Sequence, residues 1–246
     1  MSVSIIMPYY RKKEFISDSL RSIFNQSYKD FEIIIIYDDD NLEDYYYLKD
    51  FQKKNNNIKI IKNHLNRGAA YSRNIGIKES SGDLIAFLDC DDIWKNNKLE
   101  TQINFMKEKN ADISFTGYEI IDSSNNIIGK RPAKATLNFN DLIKSCDIGL
   151  STVIIKKSVL NESNKFGSLK TKEDYVLWLS LAEKNYKFYG INLFLTKWRK
   201  LDNSLSSNTL QKLIDGFRVY NEYLKYNKFF SIFCLIRLSL NYLLKK

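Results

Sequence analysis

Apolar positions along the first ninety residues fall into two alternating patterns. Val3 to Met7, Phe31 to Tyr37, Ile58 to Ile61 and Leu84 to Leu88 are short, nearly unbroken apolar runs rich in isoleucine. Runs of that kind suit strands covered on both faces, as in a parallel sheet. Between the first two, Glu14 to Asn25 places Phe15, Ile16, Leu20, Ile23 and Phe24 at helical spacing. Leu42 to Lys54 reads as a second helix. The alternation predicts a doubly wound α/β sheet.

The polar residues that end these runs carry the candidate chemistry. Leu84 to Leu88 is followed at once by Asp89, Cys90, Asp91 and Asp92, and Phe31 to Tyr37 by Asp38, Asp39 and Asp40. Pro8 stops the first run and opens a loop to Lys12, which puts Tyr9 at the carboxyl edge of the sheet. Ligands bind at that edge in open α/β sheets, and carboxylates presented there suit Mg2+ or Mn2+ carrying a phosphate. Asn66 to Gly76, NRGAAYSRNIG, opens a helix with small residues that permit close approach, and Arg73 lies one turn into it. On these residues alone, a helix packed tightly on the sheet with a solvated arginine reads equally well. Neither GxGxxG nor GxxxxGK[ST] occurs, which removes the dinucleotide and P-loop fingerprints.

In the second half, Lys98 to Lys109 reads as a helix and Ile113 to Ile121 as a strand. Asp122 to Lys130 has the composition of a hairpin turn or loop. Leu150 to Ile155 reads as a strand, and Lys157 to Asn161 as the start of a short helix. Glu173 to Lys184 reads as a helix with Glu173 and Asp174 at its N-terminus, where the helix dipole alone favours carboxylates. From Lys212 onward seven basic residues face only Asp215 and Glu222, and Phe229 to Leu244 is mostly apolar. Arg237 and Asn241 interrupt that run, which is shorter than the roughly 20 residues needed to span a bilayer. It reads as an interfacial helix on anionic lipid, or as a helical hairpin that covers the preceding domain or forms a homodimer interface.

Composition narrows the picture. A chain of 246 residues with 44% hydrophobic residues, 2 Pro and 9 Gly is a globule with a sizeable core. Its three cysteines, Cys90, Cys146 and Cys234, are odd in number and widely spaced, so neither a disulfide framework nor a zinc knuckle is expected and a reducing compartment fits. Met1 to Glu14 lacks the pattern of a secretory signal, so the mature chain is expected to start at or near Met1. The net charge of +9 points toward polyanions in general, though an AT-rich genome accounts for the lysine as well. Nucleic acid is not the expected partner, because the basic residues collect in an apolar tail and no binding module is present.

Taken together, VSIIMPYY, FEIIIIYDD, NRGAAYSRNIGI, SGDLIAFLDCDDIW and EDYVLWLSLAEKNYKFY resemble, in order and spacing, the family 2 inverting glycosyltransferases that assemble bacterial polysaccharides. The resemblance covers about Ser2 to Ser207. It implies a GT-A fold, with a Rossmann-like, mostly parallel central sheet, flanking helices and a C-terminal helical tail. The catalytic domain would be residues 1–207, with a nucleotide-sugar-binding half at 1–95 and an acceptor-binding half at 96–207. Residues 208–246 would be an amphipathic helical extension.

The resemblance also implies roles. Asp38 matches the acid that accepts a hydrogen bond from the base, while Pro8 and Tyr9 would frame base and ribose. Arg73 matches an arginine that helps hold the nucleotide. Asp89 and Asp91 match the DxD signature, Asp89 toward ribose and metal and Asp91 as the direct ligand of Mn2+ or Mg2+. Asp92 would assist or cap the next helix. Asp174, beside Glu173, matches the general base. The implied reaction is metal-dependent, inverting transfer of one sugar from a nucleotide sugar, a UDP-sugar by family habit, to a lipid-linked glycan acceptor of lipopolysaccharide or capsule type. The implied location is peripheral, at the cytoplasmic face of the inner membrane.

Two departures stand out. Leu201 in WRKLDNSLS occupies a position where the family often has histidine, so water, Arg199 or Lys200 would have to substitute, and the QxxRW segment of processive synthases is absent. His64, the only histidine, reads as a surface or core residue rather than a ligand. A non-catalytic sugar-nucleotide-binding or scaffold protein of the same fold is the rival from another class. A phosphotransferase would place the acidic motif on its first strand.

Overall fold

The computed structural model describes residues 1–201 and 208–244. The expected alternation runs through the first half as β1 (Val3–Tyr9), α1 (Lys13–Phe24), β2 (Phe31–Tyr37), α2 (Leu42–Lys54), β3 (Ile58–Lys62), α3 (Ala69–Glu79) and β4 (Leu84–Phe87). These strands are parallel and lie in the order β3-β2-β1-β4. The chain moves outward from β1 on one side, then returns to pair β4 on the other. That reversal opens a crevice beyond the carboxyl ends of β1 and β4, the usual ligand position in such sheets.

Both faces of the sheet are covered, which explains the unbroken apolar runs. Ile5, Ile33 and Ile35 join one core with Ile16, Leu20 and Ile23 of α1. Ile6, Ile85 and Phe87 join a second core on the other face. Pro8 does not end β1, contrary to the sequence expectation: its carbonyl accepts from the Cys90 Sγ on the β4 side, while the Tyr9 carbonyl accepts from the Asp38 N–H on the β2 side. The N–H that proline lacks therefore falls where β4 has already ended, and β1 continues one residue further along β2.

Beyond β4 the sheet also takes in antiparallel strands. The elements are β5 (Ile93–Trp94), α4 (Lys98–Lys109), β6 (Ile113–Ile121), β7 (Ile127–Arg131), β8 (Thr136–Leu137), α5 (Phe139–Leu142), β9 (Ile154–Lys156), α6 (Glu173–Glu183) and β10 (Phe188–Arg199). The order continues β4-β9-β6-β10-β5, with β9 antiparallel to both neighbours and β10 parallel to β6. Leu150–Thr152 is a 3-10 turn ahead of β9 rather than strand, and only Lys157–Val159 forms a turn of helix. The predicted loop at 122–130 contains most of β7. β10 went unread because two register shifts, between Ile191 and Phe194 and between Phe194 and Thr196, break the period that marks a strand. Gly190 inside it is obligatory, since a Cβ there would sit 1.9 Å from the Lys134 carbonyl oxygen.

The C-terminal helices are α7 (Thr209–Arg218), a wide π turn at Val219–Tyr223, and α8 (Lys228–Leu244). They share the second core: Val219, Tyr220, Cys234 and Leu238 pack with Tyr175, Val176 and Leu179 of α6. The covering-hairpin reading therefore describes one face of these helices. Among the described residues no helix is long and apolar enough to cross a membrane.

Candidate active site at the carboxyl edge

The acidic stretch after β4 is a tight turn in which the Asp92 N–H donates to the Asp89 carbonyl at 3.0 Å. Its side chains alternate. Cys90 and Asp92 point inward and are buried, whereas Asp89 and Asp91 keep partial access to solvent. The Ser19 hydroxyl of α1 pins the turn from below, within 2.9 Å of the Cys90 carbonyl and 2.7 Å of the Asp92 carbonyl. Burial pushes the Cys90 thiol well up, and the Asp91 and Asp89 charges add to it, so Cys90 is an inert spacer.

Asp92 neither caps α4 nor faces the crevice. Its carboxylate accepts from the Ser151 hydroxyl at 2.5 Å and from the Arg199 N–H at 2.8 Å. Burial raises its pKa well above the usual range, and the charges of Asp91 and Asp89 raise it further. Ser151 also accepts from the Asp89 N–H at 3.2 Å, so one hydroxyl joins two residues of the turn. Arg199 donates from Nε to the Asp91 carbonyl at 2.8 Å. Its remaining donors go to the carbonyls of Asp122 and Ser123 and to the Asn125 side chain, so Arg199 is not available to replace the missing histidine. Of the histidine segment itself, Leu201 is half-buried and residues 202–206 lie outside the described residues.

The two outward carboxylates each hold a cation. Asp91 pairs with Lys12 Nζ at 2.8 Å, and Asp89 with Arg73 Nη2 at 2.7 Å. Arg73 is 4 % exposed, and its Nη1 bonds Glu173 at 2.5 Å. One buried guanidinium thus joins the turn after β4 to the start of α6. Burial opposes its charge, but Asp89 and Glu173 outweigh that and hold it above its ordinary range. A second pairing ties the segment ahead of α6 to α3: the Asn74 side chain donates to the Phe166 carbonyl and accepts from the Phe166 N–H, both at 3.0 Å. The Phe166 ring then lies 5.6 Å from the Arg73 guanidinium.

Glu173 and Asp174 begin α6, as the sequence indicated. Burial pushes Glu173 up to about 7, with Arg73 opposing and Asp174 adding. Burial also raises Asp174; Arg73, the Tyr175 N–H at 2.7 Å and Lys172 oppose it, and Asp89 adds to it. A carboxylate raised this way is a better proton acceptor than a solvated one.

Two expected contacts are placed differently. The Tyr9 ring is fully buried, stacked on Tyr37 at 5.1 Å with its hydroxyl donating to Asp44 at 2.8 Å. Its side chain belongs to the core, and Tyr10 is the exposed tyrosine at that edge. Asp38 is also enclosed. Its carboxylate accepts from the Asn63 amide at 2.6 Å and from the N–H groups of Arg67 and Gly68 at 2.9 and 2.7 Å. It fastens the loop that leads into α3 at Gly68, whose φ of 84° suits glycine. The isolated His64 is exposed.

For a divalent ion, the described residues offer no cluster of three or more His, Cys, Asp or Glu. Asp89 and Asp91 give two hard oxygen donors, which fits Mg2+ or Mn2+ arriving with a diphosphate that completes the coordination. Two surface clefts, of about 340 Å³ at Asn110–Tyr189 and about 430 Å³ at Asp18–Lys197, are lined by none of these site residues.

A family model described as "Glycosyl transferase family 2" matches residues 4–163. The Escherichia coli UDP-Glc:alpha-D-GlcNAc-diphosphoundecaprenol beta-1,3-glucosyltransferase WfgD is 37% identical over 224 residues, covering 91% of this chain and 87% of the relative. The putative teichuronic acid biosynthesis glycosyltransferase TuaG of Bacillus subtilis is 32% identical over 247 residues, covering 99% and 97%. S. aureus TarS 1-349, solved in complex with UDP-GlcNAc, has a TM-score of 0.76 at 18% identity, covering 96% of this chain and 70% of that one. The mannosyltransferase PcManGT from Pyrobaculum calidifontis, solved with GDP-Man and Mn2+, has a TM-score of 0.70 at 12% identity, covering 92% and 65%. These structural likenesses speak to the fold, the GT-A arrangement that the sequence resemblance implied.

Proposed function

The chain belongs to glycosyl transferase family 2 and is a glycosyltransferase, and on that premise we propose that it moves one sugar, with inversion, from a UDP-sugar to a hydroxyl of a lipid-linked acceptor in bacterial surface-glycan assembly. The observation that carries this reading is Arg73, which holds Asp89 of the donor side and Glu173 of the acceptor side at once. Residues a hundred positions apart are thereby joined at one sheet edge. The name of WfgD supports the donor and acceptor classes, and that of TuaG supports a role in bacterial glycan biosynthesis.

Asp89 and Asp91 would hold Mn2+ or Mg2+ at the diphosphate. When bound, such an ion supplies positive charge against the leaving group. Lys12 and Arg73 add fixed positive charge beside the same carboxylates. Asp174 takes the proton of the acceptor hydroxyl as its oxygen bonds the anomeric carbon, and the bond to the diphosphate breaks with the electron pair leaving on the nucleotide. Direct displacement from the opposite face inverts the centre. Asp38 acts on the nucleotide through the loop of Arg67 and Gly68, and Pro8 and Tyr9 shape the crevice through their main chain.

The test is Asp174→Asn. It retains UDP and Mn2+ affinity by calorimetry, while transfer from UDP-glucose to a GlcNAc-diphosphoryl lipid falls by about 10²–10⁴. Near-normal turnover removes Asp174 from the role. Equal or absent binding of UDP, GDP and dTDP by the native chain sinks the donor assignment, and absent transfer with intact binding favours a scaffold.

A further inference from the structure

More than half of the exposed large apolar side chains among the described residues lie in α7 and α8. On α8 the inner face is Ser231, Cys234 and Leu238, all buried, with Cys234 and Leu238 packed in the core. The opposite face repeats Phe229, Phe233, Ile236, Leu240 and Leu243 at intervals of three and four, each more than half exposed and Phe229 at 88 %. A helix turn on α7 likewise exposes Leu210, Leu213 and Ile214. Unpartnered stripes of this size mark an interaction surface.

Charge identifies the partner. After Glu222 there is no acidic residue, whereas Lys225, Lys228, Arg237, Lys245 and Lys246 follow. The two acids before them, Asp215 and Glu222, both pair with Arg218, and Asp215 is fully buried. A second copy would bring the same positive charge against this face. Anionic headgroups complement it, and a helix with an apolar face, a basic surround and too little length to cross lies in the plane of the lipid surface.

These helices are also fastened to the segment that carries Asp174. Asp215 of α7 accepts from both the N–H and the hydroxyl of Thr171 at 2.9 Å, three residues before it. The hydroxyls of Tyr220 and Tyr175 lie 3.2 Å apart, and Tyr175 directly follows Asp174. We propose that α7 and α8 seat the chain on an anionic bilayer through the Phe229-Phe233-Ile236-Leu240-Leu243 stripe, and that Asp215 and Tyr220 fix the Asp174 segment relative to that surface. The second clause rests on the lipid-linked acceptor proposed above.

The experiment is flotation of the full chain with vesicles of phosphatidylcholine alone or mixed with phosphatidylglycerol. The native chain should float with the mixed vesicles and only weakly with the neutral ones. Phe229→Ser/Phe233→Ser/Ile236→Ser should reduce partitioning by about a hundredfold or more, and Lys225→Gln/Lys228→Gln by about fivefold per charge. Both variants should keep the native UDP affinity and melting temperature. Transfer to a lipid-borne acceptor should fall in the triple variant, while transfer to a detergent-soluble one should not. Absence of flotation in a chain that binds UDP overturns the proposal, as does flotation undiminished by the triple variant. A dimer in solution that the triple variant converts to monomer, without flotation, assigns the face to a second copy and overturns it too. A chain that floats but binds no nucleotide upholds the seating and overturns the donor reading instead.

Discussion

Arg199→Met isolates what holds the acidic turn in place. Arg199 is 3 % exposed and ends β10, with its guanidinium 4.7 Å over the Phe15 ring of α1. It makes four hydrogen bonds to the Asp91, Asp122 and Ser123 carbonyls and the Asn125 amide oxygen, between 2.7 and 3.2 Å. Methionine keeps most of the contact with Phe15 and removes all four. At about 1 kcal/mol net for each bond, less the water that the freed loop carbonyls regain, the loss is about 3 kcal/mol. For a chain of this size that corresponds to a melting temperature lower by about 6–12 °C in scanning calorimetry. The Asp91 main chain loses its anchor, so UDP affinity in the presence of Mn2+ should weaken by about 10–100-fold in titration calorimetry, as when a residue supporting a ligand is lost. Arg199→Lys keeps the charge but not the planar fork, and should recover only part of both. A variant Arg199→Met that melts within about 2 °C of the native chain and binds UDP equally would refute the reasoning.

Glu173 titrates near 7 in the folded chain against an ordinary value of 4.5. Its contribution to stability is therefore fully present below about 4.5 and lost as pH rises through about 7. Glu173→Gln should flatten the melting temperature across that window, and should remove an ionisation near 7 from the pH profile of donor affinity. Lys98 is fully buried, its Nζ has no hydrogen-bond partner, and it lies 4.2 Å from the Trp94 ring. Burial lowers its pKa well below the ordinary 10.5, so it destabilises the fold at neutral pH and does so less as pH rises toward that value. Lys98→Met should raise the melting temperature at pH 7, with a gain that shrinks by pH 10; a constant or negative change at both refutes the assignment.

What the residues alone determined is local. A run such as Ile33 to Ile36 declares a doubly covered strand, and the acids that follow it and Leu84 to Leu88 are placed at the carboxyl edge by chain continuity. The start of α6 at Glu173 and the helical nature of the tail are legible for the same reason, since propensity and capping act within a few residues. Which of those side chains face the crevice was decided elsewhere. The pleat and the packing of α1 and β10 turn Cys90 and Asp92 inward and leave Asp89 and Asp91 outward. Tyr9 is core because Tyr37 and Asp44 receive it. Asp38 is enclosed because the loop before α3 closes over it. Ser151, Asn74 and Arg199 carry no local signal, for their roles consist of hydrogen bonds to segments 59 to 108 positions away. A single chain can state in its own neighbourhood where a carboxylate will stand. Only the closed fold, which sets distant donors against it and removes water, decides its partner and its proton affinity.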